Sequence, residues 1–301
     1  MNILILGSQG FIGSNLVKFF TNKSHTVTGC DLVELPPSTY IYHKVSILSA
    51  DFDLIFSSQS FDVCINASGS GNVSYSIGYP LSDFEANTLA VAKVLDTIRK
   101  HNPFCKYLHI SSAAVYGNPK HLPIMEDFEL APLSPYGYHK LMSEMICKEY
   151  YKFYNLPIDI IRPFSVYGKG LKKQLLWDTC QKLQNNKSVS LFGTGNETRD
   201  FIHISDLAEL ISKIIGNSTF DCNIYNAATG SEITIRQIAD IFEKHFTGQK
   251  KILFSGEVKK GDPLNWKADI SKAYKLGFTP KIILYDAIVD YITWFSDLVN
   301  E

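Results

Sequence analysis

Gly7-Ser8-Gln9-Gly10-Phe11-Ile12-Gly13 lies between an apolar run, Asn2–Leu6, and an amphipathic stretch, Phe11–Asn22. Three glycines spaced GxxGxxG, after a strand and at the start of a helix, restrict the fold more than any other feature of the chain. Gly7 permits a tight turn. Gly10 lets the backbone come close to a pyrophosphate, and Gly13 lets the helix pack against the sheet. The helix start then offers unpaired N–H groups and a positive dipole end to phosphate. Phe11 and Ile12 complete the expected cofactor-binding turn. Asp31 closes the next apolar run, 18 residues beyond Gly13. A carboxylate there accepts hydrogen bonds from ribose hydroxyls and repels a 2′-phosphate, which favours NAD over NADP.

Strand and helix patterns alternate through the first half. Strands are expected at Asn2–Leu6, Thr26–Cys30, Tyr40–Ile47, Asp62–Ala67, Tyr107–Ser111 and Pro157–Ile161. Helices are expected at Phe11–Asn22, Leu81–Lys100 and Leu141–Tyr154. This alternation predicts an α/β fold, a Rossmann-like doubly wound parallel sheet with a smaller mixed α/β substrate domain. Residues 1–165 form the expected NAD-binding domain, and residues 166–301 the substrate-binding domain. A segment near 198–228 is expected to pack back onto the first. No internal repeat or low-complexity tract appears.

Composition narrows the partners. Lys and Arg number 29 against 30 Asp and Glu, with no basic stripe, which argues against nucleic acid. No apolar run reaches the ~20 residues of a membrane span, and the start reads as a strand and not a signal peptide. A cytoplasmic protein with no membrane partner is expected. Cys30, Cys64, Cys105, Cys147, Cys180 and Cys222 are scattered without metal spacing, so they read as small buried residues, and no metal site is expected.

A second constellation carries chemistry. Tyr136 and Lys140 stand four apart behind Pro135, which can open a helix, so both side chains share one face. A nearby ammonium would lower the phenol's pKa and let Tyr136 exchange a proton. Lys140 can also hold the nicotinamide ribose. Ser112 follows a predicted strand at its C-terminal end, where open α/β sheets bind ligands.

Together these segments resemble the extended short-chain dehydrogenase/reductases, in their NAD-dependent epimerase/dehydratase branch. The resemblance runs through Gly7–Gly13, Asp31, Ser111-Ser112-Ala113-Ala114-Val115-Tyr116-Gly117, Pro132 to Lys140, Arg162 to Gly168, Arg199-Asp200-Phe201-Ile202-His203 and Lys260-Gly261-Asp262. It implies that Tyr136 is the acid/base, supported by Lys140, and that Ser112 polarises the substrate. It implies that Arg199 contacts the substrate diphosphate, joined by Lys259 or Lys260, that Phe192 flanks the nucleotide base, and that Asn87 borders the active site. A homodimer built on paired helices is also implied. Four positions depart from the pattern. Ala113 and Ala114 replace the acidic pair of the dehydratases, which argues against a 4,6-dehydratase. Ser46 stands where an Asp usually contacts adenine. Ser165 replaces a common Asn.

The resulting expectation is an NAD-dependent enzyme acting at C4 of a nucleotide-diphosphate hexose, foremost a 4-epimerase. A reductase of 4-keto-6-deoxy nucleotide sugars uses the same residues. A non-catalytic dinucleotide sensor is the remote alternative.

Overall fold

The computed structural model describes residues 1–34, 40–45, 52–257 and 261–300. Its centre is a seven-stranded sheet of β1 (Asn2–Leu6), β2 (Thr26–Asp31), β3 (Ile41–Lys44), β4 (Val63–Asn66), β5 (Lys106–Ile110), β6 (Ile158–Pro163) and β7 (Asp221–Ala227). The spatial order is β7-β6-β5-β4-β1-β2-β3, and every pairing is parallel. The order reverses between β1 and β4. The crevice at such a switch point, beyond the C-terminal strand ends, is where doubly wound sheets bind ligands.

Both faces of the sheet are apolar because both are covered. Ile3 and Ile5 of β1 enter one core with Leu16, Val17 and Phe20 of helix α1 (Phe11–Asn22) and with the helix Ile204–Asn217. Leu4 and Leu6 point the other way, into a core with Val91, Val94, Leu95 and Ile98 of the helix Ala90–His101. A third core lies in the C-terminal half, among Leu176, Phe242, Tyr291 and Phe295. Five of the six cysteines are buried, and all six are free thiols.

The predicted strands and helices of the first half are present, with four adjustments. The helix expected from Leu141 begins at Pro135, capped by the Ser134 hydroxyl on Gly137 N–H, so Tyr136 and Lys140 lie in its first two turns. The helix expected over Leu81–Lys100 is interrupted: Pro80–Phe84 passes into a π-turn, Glu85–Leu89, before Ala90–His101. The third strand is shorter than predicted. The helices Phe52–Ser58 and Val73–Gly78 had no counterpart in the sequence reading.

Beyond β6 the chain forms small two-stranded pairings. Ser165–Tyr167 runs parallel to Phe201–His203, Ser188–Leu191 parallel to Lys251–Phe254, and Thr198–Arg199 antiparallel to Ile233–Thr234. The chain returns to the central sheet through β7. No helix among the described residues is long and apolar enough to cross a membrane.

Candidate active site

The glycine turn adopts the shape its residues dictate. Gly7 has φ +76°, and a Cβ there would come within 2.7 Å of the Ala67 carbonyl oxygen. At Gly13 a Cβ would stand 2.0 Å from the Gly7 carbonyl oxygen, closer than any side chain tolerates. Gly10 is the N-cap of α1; no side chain caps this end, and its first turn has no acid. The start of α1 therefore presents N–H groups that no side chain caps, the arrangement that suits an anion. Asp31 accepts hydrogen bonds from Gln9 N–H (2.8 Å) and Leu32 N–H (2.7 Å), which fixes its carboxylate beside the turn. A cradle that a Cβ would fill, with an adjacent fixed carboxylate, fits a dinucleotide.

A cavity of about 720 Å³ opens from this turn and takes in Gly10, Phe11, Ile12, Ser112, Tyr136, Lys140, Phe192 and Arg199. Gly7, Gly13 and Asp31 are not among the residues that line it. The sheet topology explains the convergence. Ser112 leaves the end of β5 and caps a short 3-10 turn by accepting Ala114 N–H at 3.1 Å. Tyr136 is anchored through its backbone N–H to the Ser76 hydroxyl, 3.1 Å. Its phenol faces Ser112. Lys140 is buried and donates from Nζ to the Ile110 carbonyl oxygen at 2.9 Å.

Burial controls the protonation of this pair. It pushes the Tyr136 phenol up to about 12, against the pull of the Ser112 hydrogen bond, with Asp83 adding to the rise. It lowers Lys140 to about 8, despite the nearby carboxylates of Asp83 and Glu144. The sequence reading had Lys140 lowering the tyrosine. In the protein alone burial prevails, and the lysine's contribution is not among the causes. At neutral pH the phenol is protonated and the ammonium charged.

At the far end, Arg199 donates from Nη1 to the carbonyls of Thr198 (2.8 Å) and Leu264 (3.2 Å), and its guanidinium lies over Trp266. Its nearest carboxylate is Asp262, at 3.9 Å, so much of its charge remains available to a ligand. Phe192 stands at the cavity rim, 54% exposed. Asn87 is buried on the π-turn, donating to the Ser70 carbonyl at 3.1 Å. Ser165 lines the cavity, as does Ala114, while Ala113 is buried. Ser46, Lys259 and Lys260 lie outside the described residues.

Sequence reasoning missed several parts of the site. Residues 67–74, the loop after β4 and the start of the helix Val73–Gly78, form one wall, and Trp266 and Lys173 also face the cavity. Buried Asp83 accepts a 2.6 Å hydrogen bond from His139, on the helix that carries Tyr136. Only the Ser- and Gly-rich composition of residues 68–71 gave any signal.

The fold and site define a dinucleotide-dependent enzyme with a tyrosine–lysine pair. Comparison with known proteins gives the family. A model of the NAD dependent epimerase/dehydratase family matches residues 3–228, and the chain belongs to that family. It is 31% identical to UDP-glucose 4-epimerase 2 of Oryza sativa subsp. japonica, over 88% of this chain and 78% of the relative. It is 29% identical to the bifunctional UDP-glucose 4-epimerase and UDP-xylose 4-epimerase 3 of Arabidopsis thaliana, over 97% and 95%. The solved UDP-glucuronic acid 4-epimerase of Bacillus cereus, in complex with UDP-glucuronic acid and NAD, is 27% identical and superposes with a TM-score of 0.90, covering 99% of this chain and 100% of that one.

Proposed function

We propose that this protein is an NAD-dependent 4-epimerase of a UDP-linked hexose or hexuronic acid. The carrying observation is the single cavity that joins a bare glycine turn, the Ser112–Tyr136–Lys140 cluster and the diphosphate-suited Arg199. The relatives named as UDP-sugar 4-epimerases support the reaction and the nucleotide.

NAD, when bound, accepts and returns the hydride at C4. Gly7, Gly10, Phe11, Ile12, Gly13 and Asp31 would hold it at the turn, and Lys140 would hold its ribose. With the positive charges of the oxidised cofactor and Lys140 beside it, Tyr136 would give up its own proton to solvent and act as the phenolate, taking the proton of the C4 hydroxyl as the carbonyl forms and giving it back after the sugar turns over. Ser112 holds that oxygen beside the phenol. Arg199 grips the diphosphate, aided by Lys259, and Phe192 flanks the base. Ala113 and Ala114 supply no acid or base for elimination, which separates this site from a dehydratase.

Residues 1–165, with the strand β7, act in this reading as the cofactor half, and the remainder as the substrate half. A homodimer is part of the same proposal. Leu81, Tyr138, Met142 and Met145 expose apolar surface on the helices that pair across such dimers. Cytoplasmic residence and a place in polysaccharide assembly suit a consumer of nucleotide sugars.

The test is a cofactor balance. Purified protein should release NAD on denaturation and interconvert C4 epimers of UDP-sugars with no added nicotinamide. Stoichiometric consumption of NADH with a 4-keto nucleotide sugar, and no epimerisation, would instead establish the reductase.

A further inference from the structure

The crevice between β1 and β4 has a third wall. After the strand Ser165–Tyr167 the chain crosses above the start of α1, where a Cβ on Gly170 would lie 3.9 Å from the Phe11 ring. Lys173 follows, in extended backbone, and the next residue, Gln174, is held at φ +68°, a conformation side chains rarely adopt. The Lys173 ammonium reaches the loop that follows β4: its Nζ is 3.4 Å from where a Cβ on Gly71 would stand. It lines the same cavity as Gly10, Phe11 and Ile12. Gly71 and Gly10 belong to the two loops that flank the switch point of the sheet, where a doubly wound fold holds a dinucleotide, and the ammonium reaches the first of these loops.

This cation lacks a counter-charge. Among the described residues no carboxylate pairs with it; the residue is exposed overall, and desolvation alone lowers its pKa. An unpaired ammonium facing a cavity is matched best by an anion with several acceptor oxygens. The end of α1, uncapped by any side chain, presents its N–H groups to the same crevice.

We propose that Lys173 binds the diphosphate of the dinucleotide, closing over the glycine turn from the C-terminal half of the chain. The proposal rests on the NAD reading above and deepens it. A cofactor gripped from both halves is retained between turnovers, as an epimerase that returns its own hydride requires. Arg199, at the far end of the cavity, is left for the diphosphate of the sugar nucleotide.

The experiment uses the full chain, stripped of nucleotide, as K173A, K173M and K173R, with K172A as the neighbour that does not line the cavity. Calorimetry with NAD and with UDP is run over a series of salt concentrations. K173A and K173M should bind NAD about tenfold or more weakly, the value of one charge-assisted hydrogen bond. Their affinity should also depend less steeply on salt. K173R should lie between them and the wild type, and K172A should match the wild type. UDP affinity should be unchanged throughout. K173M keeps the aliphatic stem, so a loss seen there is a loss of charge and not of packing. Wild-type NAD affinity in K173M overturns the proposal, as does weakening confined to UDP, or NAD weakening with an unaltered salt dependence. Failure of the wild type itself to bind NAD would overturn the dinucleotide reading instead.

Discussion

Glu144, one turn beyond Lys140, holds Arg162 of β6 through two hydrogen bonds: Nε to Oε1 at 2.9 Å and Nη2 to Oε2 at 2.7 Å. Both side chains are buried, and the Ser111 hydroxyl donates to the same Glu144 oxygen at 2.6 Å. Arg162 also donates from Nη1 to the Tyr116 hydroxyl and the Glu126 carbonyl. The network ties the helix of Tyr136 and Lys140 to the strand ends that present Ser111 and Ser112. Removing Arg162 leaves a buried carboxylate without its cation. Arg162→Met should cost about 3–5 kcal/mol of stability, and the double variant with Glu144→Gln should recover part of it. Urea unfolding measures both. With Glu144→Gln measured alone as well, a double variant whose loss equals the sum of the two single losses would mean that the pair is not coupled.

Tyr136→Phe removes the proton carrier and leaves the glycine turn intact. Epimerisation should fall by a factor of about 10²–10⁴, the usual worth of general acid–base catalysis, while NAD affinity is kept. Turnover at the wild-type rate would take Tyr136 out of the chemistry.

The depressed pKa of Lys140, about 8, carries two consequences. Its charge is lost as the pH rises past that value, so kcat should decline on the alkaline side with a midpoint near it. Stability runs the other way. The unfolded chain holds this proton up to the ordinary lysine range and the folded chain releases it sooner, so the unfolded state binds more protons in between. Folding stability therefore gains as pH rises from about 8 to about 10.5, as the cost of burying the ammonium disappears. Lys140→Met should be inactive, yet more stable than the wild type at pH 7, with the advantage shrinking by pH 10. Thermal melts at the two pH values decide this, and an advantage independent of pH would contradict it.

The proposed dimer makes its own demand. Met145 is 61% exposed on the helix Pro135–Tyr154, in a shallow apolar groove with Phe84, Met142 and Ile146. A carboxylate buried in a dimer interface lacks a partner and opposes association. Met145→Glu should shift sedimentation toward the monomer. A wild type that sediments as a monomer would remove the dimer from the reading.

Local elements of this site were legible, and long-range ones were not. The bounds of β1 and α1 follow directly from the apolar run, the glycines and the helical spacing. Tyr136 and Lys140 announce themselves by their separation. The π-turn at Glu85–Leu89 leaves no trace in periodicity, because one added residue shifts the pattern without breaking it. Helices as short as Phe52–Ser58 and Val73–Gly78 span too few turns for a period to emerge. Lys173 meets the loop of Gly71, and His139 meets Asp83, only because the sheet brings them together. Nor does spacing reveal that burial would outweigh Lys140 in setting the Tyr136 phenol.

Two glycines of the turn separate structural need from ligand need. A methyl at Gly13 would stand 2.0 Å from the Gly7 carbonyl oxygen, against backbone that has nowhere to move. At Gly10 the nearest atom is the same oxygen, at 3.3 Å, and φ is −67°, a value any residue adopts. Gly13→Ala should lower stability by about 1–3 kcal/mol, the usual cost of overpacking, and displace the turn. Gly10→Ala should lower the melting temperature of the nucleotide-free protein far less than Gly13→Ala, because its methyl meets the Gly7 oxygen at 3.3 Å and not 2.0 Å. Its methyl would crowd the approach of a pyrophosphate, so NAD affinity should fall although the fold is kept. Melting curves with and without NAD distinguish the two: Gly10→Ala should lose the stabilisation that NAD confers, and Gly13→Ala should start lower before any ligand is added. If Gly10→Ala retained the full NAD-dependent shift, the pyrophosphate would have to lie elsewhere than at the start of α1.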